Sequence, residues 1–599
     1  MTLISQIKDV SLDALRQLFP DKTFALEQVV VSSTKPEFEG DYTVVLFPFV
    51  KALGQKPAAL GAQIGDWLLQ NTQLFSSFKI VGGFLNLSIA EGYWEDFILN
   101  HFNDSQWGQK PKGSRCVMIE YSSPNTNKPL HFGHLRNIFL GFSMSEILKA
   151  AGQQVVKANL INDRGIHICK SMIAWQRYAG GATPETSGIK GDHLVGDSYV
   201  RYNEASKVEI AELVAGGVEA KAAETEAPIY KEAQEMLRQW EAGDPATLDL
   251  WKTMNNWVYE GFKKSYARLG VDFDKVYYES DTYLLGKQLV QEGLDRGLLF
   301  QKEDGSVWID LTDKGLDQKL LLRSDGTSVY MTQDMGTARL KWEEYKMAES
   351  VYVIGDEQNY HMEVLKKIME TLGEPSAAGI HHLSYGMVEL PTGKMKSREG
   401  TVVDADDMMD EMERLAEVQT KELGKTENFS AGELKKLYTT LGMGALKFYL
   451  LRVDPKKKMV FDPKESIDLH GYTATFIQYA HARIHSMLGK AGISLPVDRT
   501  HFQDFDLTLP LLEAEKEMFL QLEHYPEVVN AAAAEYNPSL LCNWAFTTAQ
   551  KFNSFYAQCP VVKEENEEKR DLRLMISIMT ATVIKHCMGL LGISVPEKM

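Results

Sequence analysis

Cysteine is scarce in this chain of 599 residues: there are five, Cys116, Cys169, Cys542, Cys559 and Cys587. They are widely separated and never form CxxC, which excludes a zinc knuckle and a disulfide framework and points to a reducing compartment. Long apolar runs are missing too. No window reaches 18 uncharged apolar residues, so a transmembrane helix is excluded. The opening residues, Met1 to Asp9, meet an acid too early for a secretory signal. A cytoplasmic protein with no membrane attachment is therefore expected. With 20 prolines and 45 glycines beside 44% hydrophobic residues, neither a disordered nor a fibrous chain fits, and no repeat or low-complexity tract is present. Positive charge is in deficit: 64 Lys and Arg face 82 Asp and Glu, a net of −18. That argues against a broad nucleic-acid-binding surface, since phosphates are neutralised by Lys and Arg. The deficit is concentrated, however. Glu204 to Asp244 holds ten acids and four bases, a net of −6, and Asp404 to Glu413 adds six acids. The total says little about any single face.

The length suggests three or four domains. Turn formers and charges from Asn103 to Ser114 mark a first boundary, giving a unit over 1–112. It mixes strands at Val29–Val31 and Tyr42–Leu46 with a helix over Ala58–Leu69. A second unit, 113–455, alternates strands and helices. Cys116–Tyr121 reads as a strand. Leu135, Ile138, Phe139 and Phe142 then follow the i, i+3, i+4, i+7 rule on a helix over Gly133–Ala151, with Gly152 as its stop. Gln154–Ile161 is the next strand, so the segment is a βαβ unit of a parallel sheet. Val351–Ile354 and Met362–Leu372 repeat the alternation. An acidic helical insertion is expected at about 180–260, its charge a solvated face. From 456 to 599 only helical periodicity remains, over Tyr472–Lys490, Leu511–His524, Leu540–Tyr556 and Asp571–Leu591, which predicts an all-α bundle.

The chemistry concentrates in Glu120-Tyr121-Ser122-Ser123-Pro124-Asn125-Thr126-Asn127-Lys128-Pro129-Leu130-His131-Phe132-Gly133-His134. This loop leaves the carboxyl end of the first strand of the α/β unit, where ligands bind in open α/β sheets. It runs into a helix start, whose free N–H groups and positive dipole end suit a phosphate. Gly133 allows close approach of backbone, and His131 and His134 can donate hydrogen bonds to phosphate oxygens as charge builds. About 260 residues on, Gly393-Lys394-Met395-Lys396-Ser397-Arg398-Glu399-Gly400 is a glycine-flanked basic loop suited to closing over a triphosphate.

Together these stretches resemble the HIGH signature and the lysine loop of class I aminoacyl-tRNA synthetases. The Glu-Tyr-Ser-Ser-Pro-Asn string and the Lys-Pro before His131 resemble the arginyl-tRNA synthetases in particular, and the resemblance runs over essentially the whole chain. It implies a Rossmann-type catalytic domain over 113–455 between a small α+β N-terminal tRNA-binding domain and a helical anticodon-binding domain. It implies ATP-dependent activation of L-arginine and transfer to the 3′ adenosine of tRNA(Arg), with magnesium accompanying the nucleotide, no zinc, and a monomer. His131, Gly133, His134, Lys396, Ser397 and Arg398 would bind ATP, with His131, His134 and Lys396 catalytic. The loop departs from the usual Lys-Met-Ser-Lys-Ser order, which leaves Lys396, Lys394 and Lys128 as alternatives for the phosphate contact, Lys396 being favoured.

The resemblance also supplies an amino-acid site. A guanidinium pairs best with carboxylates. Tyr330 and Asp334 match the family's Tyr-x-Thr-Arg-Asp motif, with Gln333 in place of its arginine. They follow an Asp325-Gly326 hairpin signal and would share a face on an extended run, or stay close on a helical turn starting near Thr332. Glu279 is a second acid. Asn125 and Gln358 would hold the α-amino and carboxylate ends, and Glu120 a further contact. For tRNA the matching residues are Phe84 and Asn86 in Gly83-Phe84-Leu85-Asn86, then Gln478, Tyr479 and Arg483 in the helical unit, and the terminal Met599. The alternatives are a class I synthetase for another amino acid and a non-synthetase HxGH adenylyltransferase. The second is usually much shorter, and the Tyr330/Asp334 pair and the lack of cysteine pairs disfavour the methionine and cysteine members of the first.

Overall fold

The computed structural model describes every residue except Met1, Pro36, 392–402, 423 and 425–428. The first unit is a four-stranded antiparallel sheet of β1 (Val31–Ser33), β2 (Tyr42–Val45), β3 (Phe75–Val81) and β4 (Phe84–Ile89), in the order β1-β2-β4-β3. It packs against helices Leu3–Leu18 and Pro57–Asn71. One of its expected strands lies slightly later in the chain than 29–31. The other expected strand, Tyr42–Leu46, is β2 (Tyr42–Val45).

The second unit is built on five parallel strands: β5 (Cys116–Glu120), β6 (Gln154–Ile161), β7 (Lys275–Tyr278), β11 (Glu349–Gly355) and β12 (Ile380–Tyr385). Their order is β12-β11-β5-β6-β7, so strand order reverses between β5 and β11. β5 is buried along most of its length, as a parallel strand covered on both faces must be. The helix Phe132–Ala150 links β5 to β6, and Gly152, at φ 90°, ends it. Two insertions interrupt the sheet. Between β6 and β7 come Gly191–Ala215, Ala220–Glu226, Pro228–Ala242 and Pro245–Leu269. On Pro228–Ala242, Ile229, Ala233, Met236 and Trp240 are buried while Glu232, Glu235 and Glu241 are exposed. The acidic stretch is a solvated face over an apolar stripe. Between β7 and β11 lies an antiparallel sheet of β8 (Phe300–Gln301), β9 (Val307–Ile309) and β10 (Lys319–Leu322). Its strands are too short to stand out as sequence patterns.

Of the two readings for the segment after the Asp325–Gly326 turn, the helical one holds. The turn itself is real: Gly326 has φ 76°, and its N–H donates to the Arg323 carbonyl at 2.9 Å. The chain then enters a helix, Tyr330–Tyr345. Thr332 Oγ1 in its first turn donates back to the Leu321 carbonyl, seating the helix on β10.

The last unit is helical: Ala474–Lys490, Glu513–Glu523, Tyr525–Glu535, Ser539–Gln558 and Glu567–Leu590. The N-terminal unit docks on it. The Trp94 and Phe519 rings stack with centroids 5.3 Å apart, and Trp107 Nε1 donates to the Leu522 carbonyl at 3.0 Å. Glu523 accepts from the Leu3 N–H at 2.7 Å and the Tyr42 hydroxyl at 3.1 Å. One hydrophobic cluster runs through all three units, from Leu3 to Ile593, and a separate one lies under the helices Tyr330–Tyr345 and Asn359–Thr371.

Candidate active site and RNA-facing surfaces

The signature loop is held in an unusual backbone shape. Ser122 and Ser123 have φ 71° and 43°, the left-handed region that costs a non-glycine residue roughly 1–3 kcal/mol. Three buried groups maintain it. The Ser122 N–H donates to Asn137 Oδ1 at 2.6 Å, the Ser123 N–H to Asn159 Oδ1 at 3.0 Å, and Ser122 Oγ lies 2.7 Å from the Tyr266 hydroxyl. Asn137 also donates to the Val353 carbonyl of β11 at 2.6 Å. The loop is thereby fixed between β5 and β11, where the sheet order reverses.

The two histidines cap the helix reciprocally. The His131 N–H donates to His134 Nδ1 at 3.0 Å, and the His134 N–H donates to the His131 carbonyl at 2.8 Å. Their rings lie 3.8 Å apart. Burial, with Lys128 adding its charge, brings His131 down to about 4, and burial holds His134 well below the ordinary imidazole range. Both are neutral at physiological pH. Because His134 accepts at Nδ1, its proton sits on Nε2 as a donor. A Cβ on Gly133 would lie 3.0 Å from His131 Cε1 and Nδ1, so the glycine leaves room for that ring.

Lys394, Lys396, Ser397 and Arg398 lie outside the described residues. The chain after them is knitted to the histidines: the Phe132 N–H donates to the Val403 carbonyl at 2.9 Å and the Ala405 N–H to the Leu130 carbonyl at 3.0 Å. Just beyond, Asp192, His193 and Asp406 have the spacing of metal ligands. Lys190 Nζ already supplies the cation there, 3.0 Å from Asp192 and 2.6 Å from Asp406. Lys128 is partly buried, which lowers its ammonium pKa.

Beside the loop, at the carboxyl ends of β5 and β11, opens a cavity of about 380 Å³. Tyr330, Asp334, Thr337 and Lys341 form one stripe of its wall, joined by Glu120, Gln358 and His361. Four of the six expected arginine contacts thus meet here: Glu120, Tyr330, Asp334 and Gln358. Tyr330 is 74% exposed. Glu120 is paired with Lys341 in the cavity floor, and Lys341 Nζ also lies 4.7 Å from the Tyr352 ring centroid. Asp334 meets His361 Nε2 at 2.6 Å. Glu279 is not among the cavity's lining residues. Burial pushes its carboxyl up to about 7, opposed by nearby Arg164 and reinforced by Asp163 and Asp334. Asn125 is exposed, pairing as a bridge with Asn162.

Lys341 and His361 carry no motif that marks them in the sequence. Lys341 lies seven residues after Asp334, on the same helical face, but its partner Glu120 is remote in sequence. Asp163 is equally unmarked: its carboxylate accepts from the Ser280 N–H at 2.9 Å, the Ser280 hydroxyl at 2.8 Å and the Tyr259 hydroxyl at 2.9 Å, fixing the backbone next to Glu279.

In the helical unit, Tyr479, Arg483 and Met599 line a cavity of about 810 Å³ with Phe429, Tyr556 and Lys598. The Arg483 guanidinium lies 4.9 Å from the Tyr479 ring centroid and donates to Asn553 at 2.7 Å. Gln478 departs from its expected role. It is fully buried and donates to the Thr440 and Ser594 carbonyls at 3.2 and 2.8 Å, so it anchors the C-terminal segment from inside the fold. Asn86 is likewise buried, accepting from Thr43 Oγ1 at 2.8 Å. Phe84 is 41% exposed and meets the exposed Phe47 ring edge-on at 5.4 Å. Phe47 belongs to no motif in the sequence. A Cβ on Gly83 would lie 2.4 Å from its ring, so the glycine makes room for it.

A parallel sheet in this order, with a neutral histidine pair at its switch point and a helical domain after it, defines a class I aminoacyl-tRNA synthetase. The family model described as "tRNA synthetases class I (R), catalytic domain" matches residues 98–462. "DALR anticodon binding domain" matches 477–599, and "Arginyl tRNA synthetase N terminal domain" matches 5–89. The arginine–tRNA ligase of Flavobacterium psychrophilum is 50% identical over 98% of each chain. That of Amoebophilus asiaticus is 50% identical over 99% of each. The arginyl-tRNA synthetase structures of Thermus thermophilus (TM-score 0.78, 23% identity) and Plasmodium falciparum (0.77, 18%) cover 100% of both chains and share the fold. The chain belongs to the arginyl-tRNA synthetases. It is an ATP-dependent ligase that joins arginine to its tRNA, and among its described residues no helix is long and apolar enough to cross a membrane.

Proposed function

We propose that the cavity between β5 and β11 holds the substrate arginine. The observation that carries this reading is the convergence of Glu120, Tyr330, Asp334 and Gln358 on one cavity at the switch point. Asp334 pairs with the guanidinium, Tyr330 packs over it, and Glu279 adds negative charge nearby. Gln358 and the exposed Asn125 serve the α-amino and carboxylate ends. Glu120, neutralised by Lys341, shapes the floor.

The arginine carboxylate oxygen attacks the α-phosphorus of ATP, and pyrophosphate leaves. The acyl group of the adenylate then passes to the 2′-hydroxyl of the tRNA's terminal adenosine, releasing AMP. Neutral His131 and His134 donate N–H hydrogen bonds to phosphate oxygens as negative charge builds there. A lysine, Lys396 ahead of Lys394 or Lys128, meets the departing pyrophosphate. Magnesium carried on the nucleotide would neutralise part of the triphosphate charge. No protein nucleophile is needed, so catalysis is positioning and charge stabilisation. Phe84 with Phe47, and Tyr479, Arg483 and Met599, offer stacking and hydrogen-bonding surfaces to unstacked tRNA bases. The protein acts as a cytoplasmic monomer.

Selectivity arises at Asp334. A neutral side chain cannot make the ion pair with its carboxylate that arginine makes, a loss of about 1–3 kcal/mol or more for a charged group. Pyrophosphate exchange with each amino acid, with and without tRNA(Arg), tests the assignment: exchange is expected with arginine alone among them, and only when tRNA is bound. Asp334→Asn should raise the arginine KM at least about a hundredfold while leaving tRNA affinity nearly unchanged. An equal loss of tRNA binding would place the pocket elsewhere.

A further inference from the structure

The two acids of the cavity have partners of different kinds. Glu120 is buried with Lys341, an ammonium that stays charged throughout the physiological range. Asp334 is paired with an imidazole at the cavity mouth. His361 Nε2 lies 2.6 Å from Asp334 Oδ2, and the two side chains are 31% and 38% exposed. A substrate guanidinium seeks the same carboxylate. A carboxylate offers about four lone-pair sites, so a neutral imidazole can keep its bond to Oδ2 while a guanidinium pairs with both oxygens. A protonated imidazole has already cancelled the charge the guanidinium requires.

We propose that His361 is an affinity-determining residue that carries a proton in the empty cavity and gives it up when arginine binds, the substrate guanidinium replacing the imidazolium as the cation on Asp334. The inference rests on the reading of Asp334 as the guanidinium partner. The proton leaves ring Nδ1 for water, and the N–H on Nε2 stays on Asp334 Oδ2, so no protein hydrogen bond breaks. The hydrogen bond and charge of Asp334, opposed by partial burial, raise the proton affinity of His361 above the ordinary imidazole value. Other groups face this site. The helix Tyr330–Tyr345 brings Tyr330 and Lys341, β5 brings Glu120 and β11 brings Tyr352. Glu279 also acts on Asp334 and itself titrates near 7. Lys341 and Tyr352 are both held above their ordinary values, and Glu120 is paired with Lys341. Glu279 is the competing source of a pH effect and must be separated from His361.

Arginine binding to the full-length protein is measured by calorimetry at pH 6, 7 and 8 in two buffers of different ionisation enthalpy. Kd should tighten by up to about tenfold per pH unit through the protonation range of His361, with release of nearly one proton from that group. In Glu279→Gln the His361-linked release should persist. In His361→Gln, which keeps an amide donor for Asp334 but cannot titrate, it should vanish. The NMR titration of the His361 ring in the unaltered protein supplies a readout that needs no variant: its pKa should fall when arginine saturates the site. Persistence of the full pH dependence in His361→Gln, its loss in Glu279→Gln alone, or a His361 pKa unmoved by arginine would overturn the inference. If Asp334→Asn binds arginine as tightly as the unaltered protein, the pocket assignment fails and the inference falls with it. If Asp334→Asn abolishes binding while His361→Gln keeps its pH dependence, the pocket stands and His361 alone is excluded.

Discussion

Gly133 separates stability from activity at a single residue. It occupies the first turn of the helix Phe132–Ala150, where alanine is the better helix former by up to about 1 kcal/mol. Yet an added Cβ would crowd His131 Cε1 and Nδ1 at 3.0 Å, and the neighbouring ring of His134 leaves little space to yield. Gly133→Ala should therefore keep or slightly raise the melting temperature while cutting kcat roughly tenfold or more, because small displacements of a catalytic group are costly. Thermal melts and pyrophosphate exchange on one preparation check both halves, and a fall in both would mean that the glycine is needed for folding instead. His131, Gly133 and His134 were legible in the sequence because their chemistry needs close spacing in one loop. Lys341 and His361 were not. A lysine on a helix and a histidine after a turn are ordinary until the fold brings Glu120 and Asp334 against them.

At the scale of elements, Asn137 joins three pieces of structure. Its carboxamide holds the strained Ser122 and also the Val353 carbonyl of β11. Asn137→Ala would leave a buried N–H and a buried carbonyl without these partners, each worth about 1–3 kcal/mol. The strain at Ser122 and Ser123 would then be free to relax. Urea denaturation should show a lower midpoint, and the arginine KM should rise with it, since Glu120 and Asn125 flank the loop. A changed midpoint with unchanged kinetics would show that the loop holds its shape without Asn137. Most elements were readable as patterns: the strand Gln154–Ile161 and the signature helix lie where their apolar spacing puts them. The short strands β8 to β10 were not, and for the segment that forms the helix Tyr330–Tyr345 the sequence left an extended run and a helical turn as alternatives. Asp325–Gly326 is a true turn signal, but the run after it contains Thr332, whose hydroxyl is satisfied by the Leu321 carbonyl across the turn. Tertiary docking decides for the helix. Gln478 and Asn86 mislead for a related reason: a polar side chain in a motif can face carbonyls inside the fold as readily as RNA outside it.

Across the whole molecule, the contact between the first and last units is the part least visible in sequence, because its members lie hundreds of residues apart. Glu523 sits at its centre. Burial raises its carboxyl to about 7, partly offset by hydrogen bonds from Leu3 and Tyr42. The folded pKa lies above the unfolded one of about 4.3, so the folded state binds more protons between the two. Stability from this group is present below about pH 4.3 and is lost as pH rises toward and through 7. Glu523→Gln, which cannot ionise, should flatten that loss, so that the melting temperature changes less between pH 5.5 and 8 than in the unaltered protein; an identical pH slope in both would exclude Glu523 as its origin. The acidic total of −18 also takes on a local meaning, since its longest acidic stretch is the outer face of the helical insertion. The stack of Trp94 on Phe519 carries a consequence for synthesis. A ribosome adding about 5–20 residues each second delivers Phe519 roughly 20 to 85 seconds after Trp94. For that interval the newborn N-terminal unit holds an aromatic face that Phe519 does not yet cover, so its ring contacts within the unit, Tyr93 and Phe97 on Trp94, must hold that face alone.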